Sequence, residues 1–384
     1  MNRKWLCVLL ALCMAAAFLA GCGGNGSDTA QDQGSAAEGA GDAASAEGTA
    51  GAEGAGGGSA EKDVVFKFAF GQPLDGSDGR GYQYFAQCLE EESGGSVKLE
   101  LYPASSLFSN SEILDALMNG TADIGHVTVS YMSPVIKELT PLELPGMYDP
   151  GRYMDFAYDL RDPIDAICNG YGLKILTCLV SCKMNFASVD SMIAGSPDMA
   201  GKNIRVSGVW IGKAVEAWGG NPATITLADV PTALERKTVD AVYGGCNTVI
   251  APFKLYEMAD NISFTSMQEN LGFISMNLDS WNALSENQQK AMKRAINSWA
   301  VFTEQLMLDD EKNFRKALAD NGNAVYDLTD AENEALRERS LALLDEAIAI
   351  AGPKGQELAE ICESIRAKHG QPYTPGVIPE GYAE

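Results

Sequence analysis

Histidine is nearly missing from this chain: His126 and His369 are the only two in 384 residues. Zinc sites draw on histidine and cysteine at close spacing, and no histidine accompanies the cysteines here, so no metal site is expected. A histidine-activated nucleophile is equally unsupported. The chain has no Gly-x-Ser-x-Gly elbow, no His-Glu-x-x-His and no phosphate loop. Neither an enzyme nor a cofactor is expected; the minor alternative is a secreted enzyme working by carboxylate acid/base chemistry. Positive charge is also scarce: 28 Lys and Arg stand against 52 Asp and Glu, a formal net charge of -24. That argues against nucleic acid and against an anionic membrane surface as partners. It does not argue against a small anion, because one arginine in a closed cleft outweighs a diffuse surface field. A membrane-spanning run is missing as well. Leu6 to Leu19 is apolar, but a span needs roughly 20 residues.

What is present at the start is a leader. Arg3 and Lys4 precede the apolar run, so residues 1–21 read as a signal peptide. The sequence "LAGC", Leu19 to Cys22, resembles the lipobox of bacterial lipoproteins, which implies a lipid on the Cys22 thiol. The following residues, up to about Lys62, are almost wholly Gly, Ala, Ser, Asp, Glu and Gln. Such a segment cannot bury enough apolar area to offset the entropy of ordering it. Residues 22–62 therefore form a tether with a reach of roughly 35 Å. The expected location is extracytoplasmic, lipid-anchored to the cell membrane.

From Asp63 onward the chain reads as globular and long enough for two domains. "DVVFKFAFGQP" alternates as a strand, and "DGRGYQYFAQCLEEESGG" carries Tyr82, Phe85 and Leu89 at helical spacing. "SVKLELYP" is a strand, "SEILDALMNG" a short helix starting near Asn110 or Ser111, and "ADIGHVTVS" a strand. This is the α/β pattern, in which ligands gather at the carboxyl ends of strands. Gln72, Asp75 and Ser77 lie at one such end and Tyr131 at another, while His126 reads as structural. "LKILTCLVSC" is strand-like. Cys178 and Cys182 would then lie about 13 Å apart on one face, too far for a disulfide, and the six cysteines after Cys22 read as buried thiols.

The pattern restarts with "IRVSG", then a helix with Ile211, Val215 and Trp218 on one face, a strand "ATITLA", a short helix "DVPTALERKT" and a strand "VDAVYGG". Ser285 and Gln288 form a capping-box pair ahead of the longest helical pattern in the chain. The last residues, "GQPYTPGVIPEGYAE", read as extended. In "GKNIRVSGVW", Arg205 sits between Ile204 and Val206 on a half-buried strand. A guanidinium there needs a partner. The partner is either solvent on an exposed face or an anion.

The segments "ESGGSVKLELYPASSL", "EILDALMNGTADIGHV", "LELPGMY", "MAGKNIRVSG", "DVPTALERKTVDAVYGG", "KLYEMADNISFT" and "SWNALSENQQKAM" together resemble a known family. It is the extracytoplasmic solute receptors of tripartite ATP-independent periplasmic (TRAP) transporters, of the four-carbon-dicarboxylate type. The resemblance implies a two-domain, periplasmic-binding-protein-like (type II-like) hinge fold with a long helix spanning both domains. The expected first domain is 63–182 with about 272–300, and the second is 183–271 with about 310–384. It also implies delivery of an organic acid, without chemistry, to two integral membrane subunits driven by an ion gradient. Arg205 matches the family arginine that forms a salt bridge with a ligand carboxylate.

The chain departs from the family at two places. Met184, beside Lys183, stands where many relatives have a second arginine, and strand neighbours face opposite sides. Gly244 stands where many have an asparagine, with Asn247 three residues on. These departures point to a monocarboxylate with a less polar body, and to Trp210, Tyr131, Tyr243, Met184, Asn247 and Gln72 as further candidate contacts. A receptor for an ATP-driven importer would share the lipobox and tether, but it fits the Arg205 context and the long helix less well.

Overall fold

Alternate residues of Val64–Ala69 point inward: Phe66 and Phe68 are buried while Val65 is exposed, which makes this segment strand β1. The structure is a computed structural model and describes residues 62–148, 151–379 and 382. The leader, Cys22 and the tether up to residue 61 lie outside the described residues.

The other strands are β2 (Val97–Tyr102), β3 (Ile124–Thr128), β4 (Leu173–Ser188), β5 (Asn203–Val206), β6 (Asn221–Thr224), β7 (Ala241–Gly245), β8 (Asn261–Asn277) and β9 (Ala324–Asp327). They connect in the order β2-β1-β3-β8-β4-β7-β5-β6, with β9 on β8. β1 is parallel to β2 and β3, and β5 is parallel to β6 and β7. β4 and β8 are antiparallel and much longer than the rest. β3 pairs with the Gly272–Met276 part of β8, whereas β7 pairs with the Met184–Ser188 part of β4. These two strands therefore pass through both lobes. Their register shifts between Val180 and Lys183 and again between Lys183 and Asn185. Such irregularities bend a strand locally, so the crossover has a built-in kink. β6 begins and ends earlier than "ATITLA" suggests and contains Pro222, tolerable because β6 is the sheet edge.

The helix Glu286–Asn321 ties the lobes together. Its start is the expected capping box, with the Gln288 amide donating to Ser285 Oγ at 3.2 Å and the Ser285 amide to Gln288 Oε1 at 3.1 Å. It ends at Gly322, whose φ of 80° favours glycine. Met292, Ala295, Ile296 and Trp299 bury in the first core, and Phe314 and Leu318 in the second. The six described cysteines, Cys88, Cys168, Cys178, Cys182, Cys246 and Cys362, are buried thiols outside any disulfide.

One domain boundary is corrected. Residues up to 384 were expected in the second lobe. Instead the helix Leu344–Arg366 places Ala347, Leu358, Ala359, Cys362 and Ile365 in the first core. Its apolar face has a partner there in the 3-10 helix Lys137–Glu143, where Leu139 and Leu142 are fully buried.

Candidate functional site

On β5, Ile204 and Val206 enter a third apolar cluster, with Phe186 and Trp218, so Arg205 between them points the other way. It is nevertheless 2% exposed. Its Nε donates to the Ile225 carbonyl at 2.9 Å, and no carboxylate among the described residues pairs with it. Burial lowers its pKa from 12.5 to about 10, which leaves it charged at neutral pH. The guanidinium faces a narrow, half-open cavity. Four carboxyl strand ends meet there: Gln72 follows β1, Thr128 ends β3, Ser207 follows β5, and Gly244 and Gly245 end β7. Tyr131, Met184 and Asn110 complete the near wall. The described wall contains one cation and no carboxylate.

Of the residues chosen from sequence, Arg205, Met184, Tyr131 and Gln72 come together in this wall. Tyr131 is mostly buried, and its hydroxyl meets the backbone N–H of Leu227 in the other lobe. Burial raises the Tyr131 pKa, and the Arg205 charge opposes the rise. Three further expected contacts lie outside this wall. Trp210 buries in the first core with the Lys213 ammonium 4.2 Å from its ring centroid. Tyr243 lies two residues deeper in β7 than Gly245 and packs on Phe186 and Trp218, with ring centroids 4.7 Å and 5.4 Å away. Asn247 turns to the long helix, donating to the Met307 carbonyl at 3.0 Å, and lines a different cavity with Lys183. Lys183 lies 3.9 Å from Glu311 there, on the opposite side of β4 from Met184, as strand alternation requires. At Gly244 an added Cβ would press on Val249 at 3.2 Å, so an asparagine would need Val249 to move.

Two groups were not singled out from sequence. The helix expected to start near Asn110 or Ser111 begins at Ile113. The Asn110 amide lies instead over Gly71, where a Cβ would come within 1.6 Å of its Oδ1. Glu143 belongs to the first lobe and is fully buried. It accepts from Ser133 Oγ at 2.6 Å, from the Trp210 amide at 2.9 Å and from the Ile211 amide at 3.5 Å. The last two belong to the first turn of the helix Val209–Trp218, just after Arg205 in the chain. A carboxylate at a helix N-terminus satisfies free amides and meets the positive end of the helix dipole. Burial nevertheless raises the Glu143 carboxyl from 4.5 to about 7, and the three hydrogen bonds only partly offset this. Ser130 Oγ lies 3.1 Å from Ser207 Oγ beside this contact, and Lys213 pairs with Glu346. The segment that follows Arg205 is thus fastened to the first lobe at three points.

Residues 73–349 match the model of the family described as bacterial extracellular solute-binding protein, family 7. The chain is 22% identical over 288 residues to the 2,3-diketo-L-gulonate-binding periplasmic protein of Escherichia coli (strain K12), over 73% of this chain and 86% of that one. A TRAP periplasmic solute-binding protein from Desulfovibrio salexigens with bound orotic acid superposes with a TM-score of 0.74 at 19% identity, over 79% of this chain and 99% of that one. A marine-metagenome TRAP solute-binding protein specific for aromatic acid ligands, solved with 3-hydroxybenzoate, gives 0.72 at 20% identity, over 81% of this chain and all of that one (100%). These likenesses show the two-lobed fold.

Proposed function

The chain belongs to the bacterial extracellular solute-binding proteins of family 7, and we propose that it captures a small organic acid on Arg205 and hands it to a TRAP-type importer. The observation that carries this reading is the buried Arg205 guanidinium, which faces a cavity and has no anionic partner among the described residues. A charge in that position is costly until an anion joins it. A carboxylate fits because the planar fork can make two parallel hydrogen bonds to its oxygens. The ligand lies between lobes made of residues 63–182 with about 272–300 and the C-terminal helix, and of 183–271 with about 310–343. Closure of these lobes retains it.

We read the chain as a carrier, not a catalyst: the described wall offers amides, hydroxyls and one guanidinium, with no carboxylate, imidazole or thiol. Two integral membrane subunits driven by an ion gradient are the partners. Cys22 carries the lipid that holds the receptor at the cell membrane, and residues 23–62 give it reach. Neighbouring genes for two multispanning proteins without an ATPase would favour the TRAP assignment over an ATP-driven importer, and a neighbouring ATPase gene would contradict it.

The direct test is thermal melting of the purified chain against a panel of small carboxylates. A true ligand at a hundred times its dissociation constant stabilises the fold by about 2.7 kcal/mol. Absence of any shift across mono- and dicarboxylates contradicts the organic-acid assignment.

A further inference from the structure

We propose that the solute is a hydroxylated monocarboxylate whose hydroxyl is read by Gln72 and Asn110 on the wall contributed by the first lobe. The inference rests on the receptor reading above and adds what the ligand must carry besides its carboxylate.

Charge comes first. Arg205 is the one cation in the described wall, and the nearby Lys183 lies in another cavity beside Glu311. A ligand with two carboxylates would leave one of them desolvated without a counter-charge. The complementary ligand is a monoanion.

Hydrogen-bond polarity comes second. Gln72 is 4% exposed, and its Oε1 lies 3.2 Å from His126 Nδ1. Burial lowers the His126 pKa to about 4, so the ring is neutral and holds one proton. Its Nε2 is buried without a partner, packed where Gly272 leaves room for it. A proton on Nε2 would therefore be an orphaned donor, which is rarer in proteins than an unfilled acceptor. The proton belongs on Nδ1, where it donates to Gln72 Oε1. That fixes the Gln72 amide with its NH2 group toward the cavity as a donor. Asn110 lines the same cavity, and its Oδ1, packed over Gly71, is buried without a partner among the described residues. Thr128 Oγ1, also in the wall, has no partner among the described residues either.

This wall thus holds a fixed donor and, on the flexible Asn110 amide, a buried acceptor that a turn of the side chain brings to a ligand. A hydroxyl answers both, because it donates once and accepts twice. A methyl or aryl group answers neither and leaves buried polar atoms unpaired. A second carboxylate would set its lone pairs against Asn110 Oδ1. The body of the ligand is therefore more polar than the substitutions at Met184 and Gly244 alone imply.

The test is calorimetric titration of the full chain with matched acids: glycolate, lactate, glycerate and gluconate against acetate, propionate, hexanoate and benzoate, with succinate and malate as diacids. A hydroxy-monocarboxylate should bind at least about 100-fold more tightly than its deoxy partner, because sites built to pair a hydroxyl strongly reject analogues lacking it. Gln72→Leu and Asn110→Leu should each bring that ratio down to about tenfold or less. Equal binding of a hydroxy acid and its deoxy partner, or tighter binding of a diacid, overturns the hydroxyl assignment and leaves Arg205 as the anion site. Failure of every acid to bind overturns both readings. The wild-type comparison decides the matter even if a variant fails to fold.

Discussion

Replacing Glu143 with Gln isolates one contest between physical effects. The carboxylate caps the first turn of Val209–Trp218, yet burial raises its pKa from 4.5 to about 7. A rise of that size corresponds to roughly 3 kcal/mol at full ionisation, as an upper bound. Between those two values the folded chain holds a proton that the unfolded chain has lost. Stability from this group therefore falls as pH rises through that window and is flat on either side. Buried Asp78, also raised to about 7, acts in the same direction, and His126, lowered to about 4, acts in the opposite one. Comparing Glu143→Gln with wild type removes both from the difference. The glutamine oxygen can still accept from the Trp210 amide, and its NH2 can donate to Ser133 Oγ. Urea unfolding at about pH 5 should therefore give near-equal stabilities. At about pH 8 the variant should be the more stable, by up to about 3 kcal/mol. A variant that is less stable at about pH 8 would refute the reasoning. The helix dipole and the charged hydrogen bonds would then outweigh desolvation.

Other expectations follow from the same geometry. Lys183→Ala should leave ligand affinity within about twofold by calorimetry, because Lys183 lies across β4 from Met184; a tenfold loss would place its ammonium at the ligand. Gly71→Ala should weaken binding without a large change in melting temperature, because the added Cβ displaces the flexible Asn110 amide and not backbone. Unchanged affinity would show that Asn110 does not face the ligand. The six described thiols are buried, and burial raises the pKa values of Cys168, Cys178 and Cys362. They should stay unlabelled by a thiol reagent in the native protein and react once it is unfolded. Rapid labelling of the native protein would contradict their burial.

Much of this was legible from residues alone, for identifiable reasons. The Ser285–Gln288 box and the apolar spacing from Met292 to Trp299 mark the long helix, because both signals are local. Arg205 stands out because a guanidinium between two core residues on a strand demands a partner. What escaped depends on distant pairing. That β4 and β8 each traverse both lobes is set by which strands they meet, which period-2 alternation does not encode. Trp210 and Tyr243 were legible as buried aromatics, but an aromatic filling a core and one lining a cavity carry the same spacing. Glu143 sits within "LELP", where its partners are backbone amides about 67 residues further along. Asn110 marked only the neighbourhood of a helix start, and its approach to Gly71 shows what it covers.

The measurement that bears most directly on Arg205 is the affinity of the tightest acid for wild type and for Arg205→Met, by calorimetry. Methionine keeps much of the buried volume and removes the charge. The expected loss is roughly 3–5 kcal/mol, on the order of a hundredfold to several-thousandfold in affinity, the scale of leaving a carboxylate without its buried partner. The ligand-free variant should be at least as stable as wild type, because a charge without a partner has been removed. Binding within a few-fold of wild type would mean that the anion sits elsewhere and that Arg205 serves the fold alone.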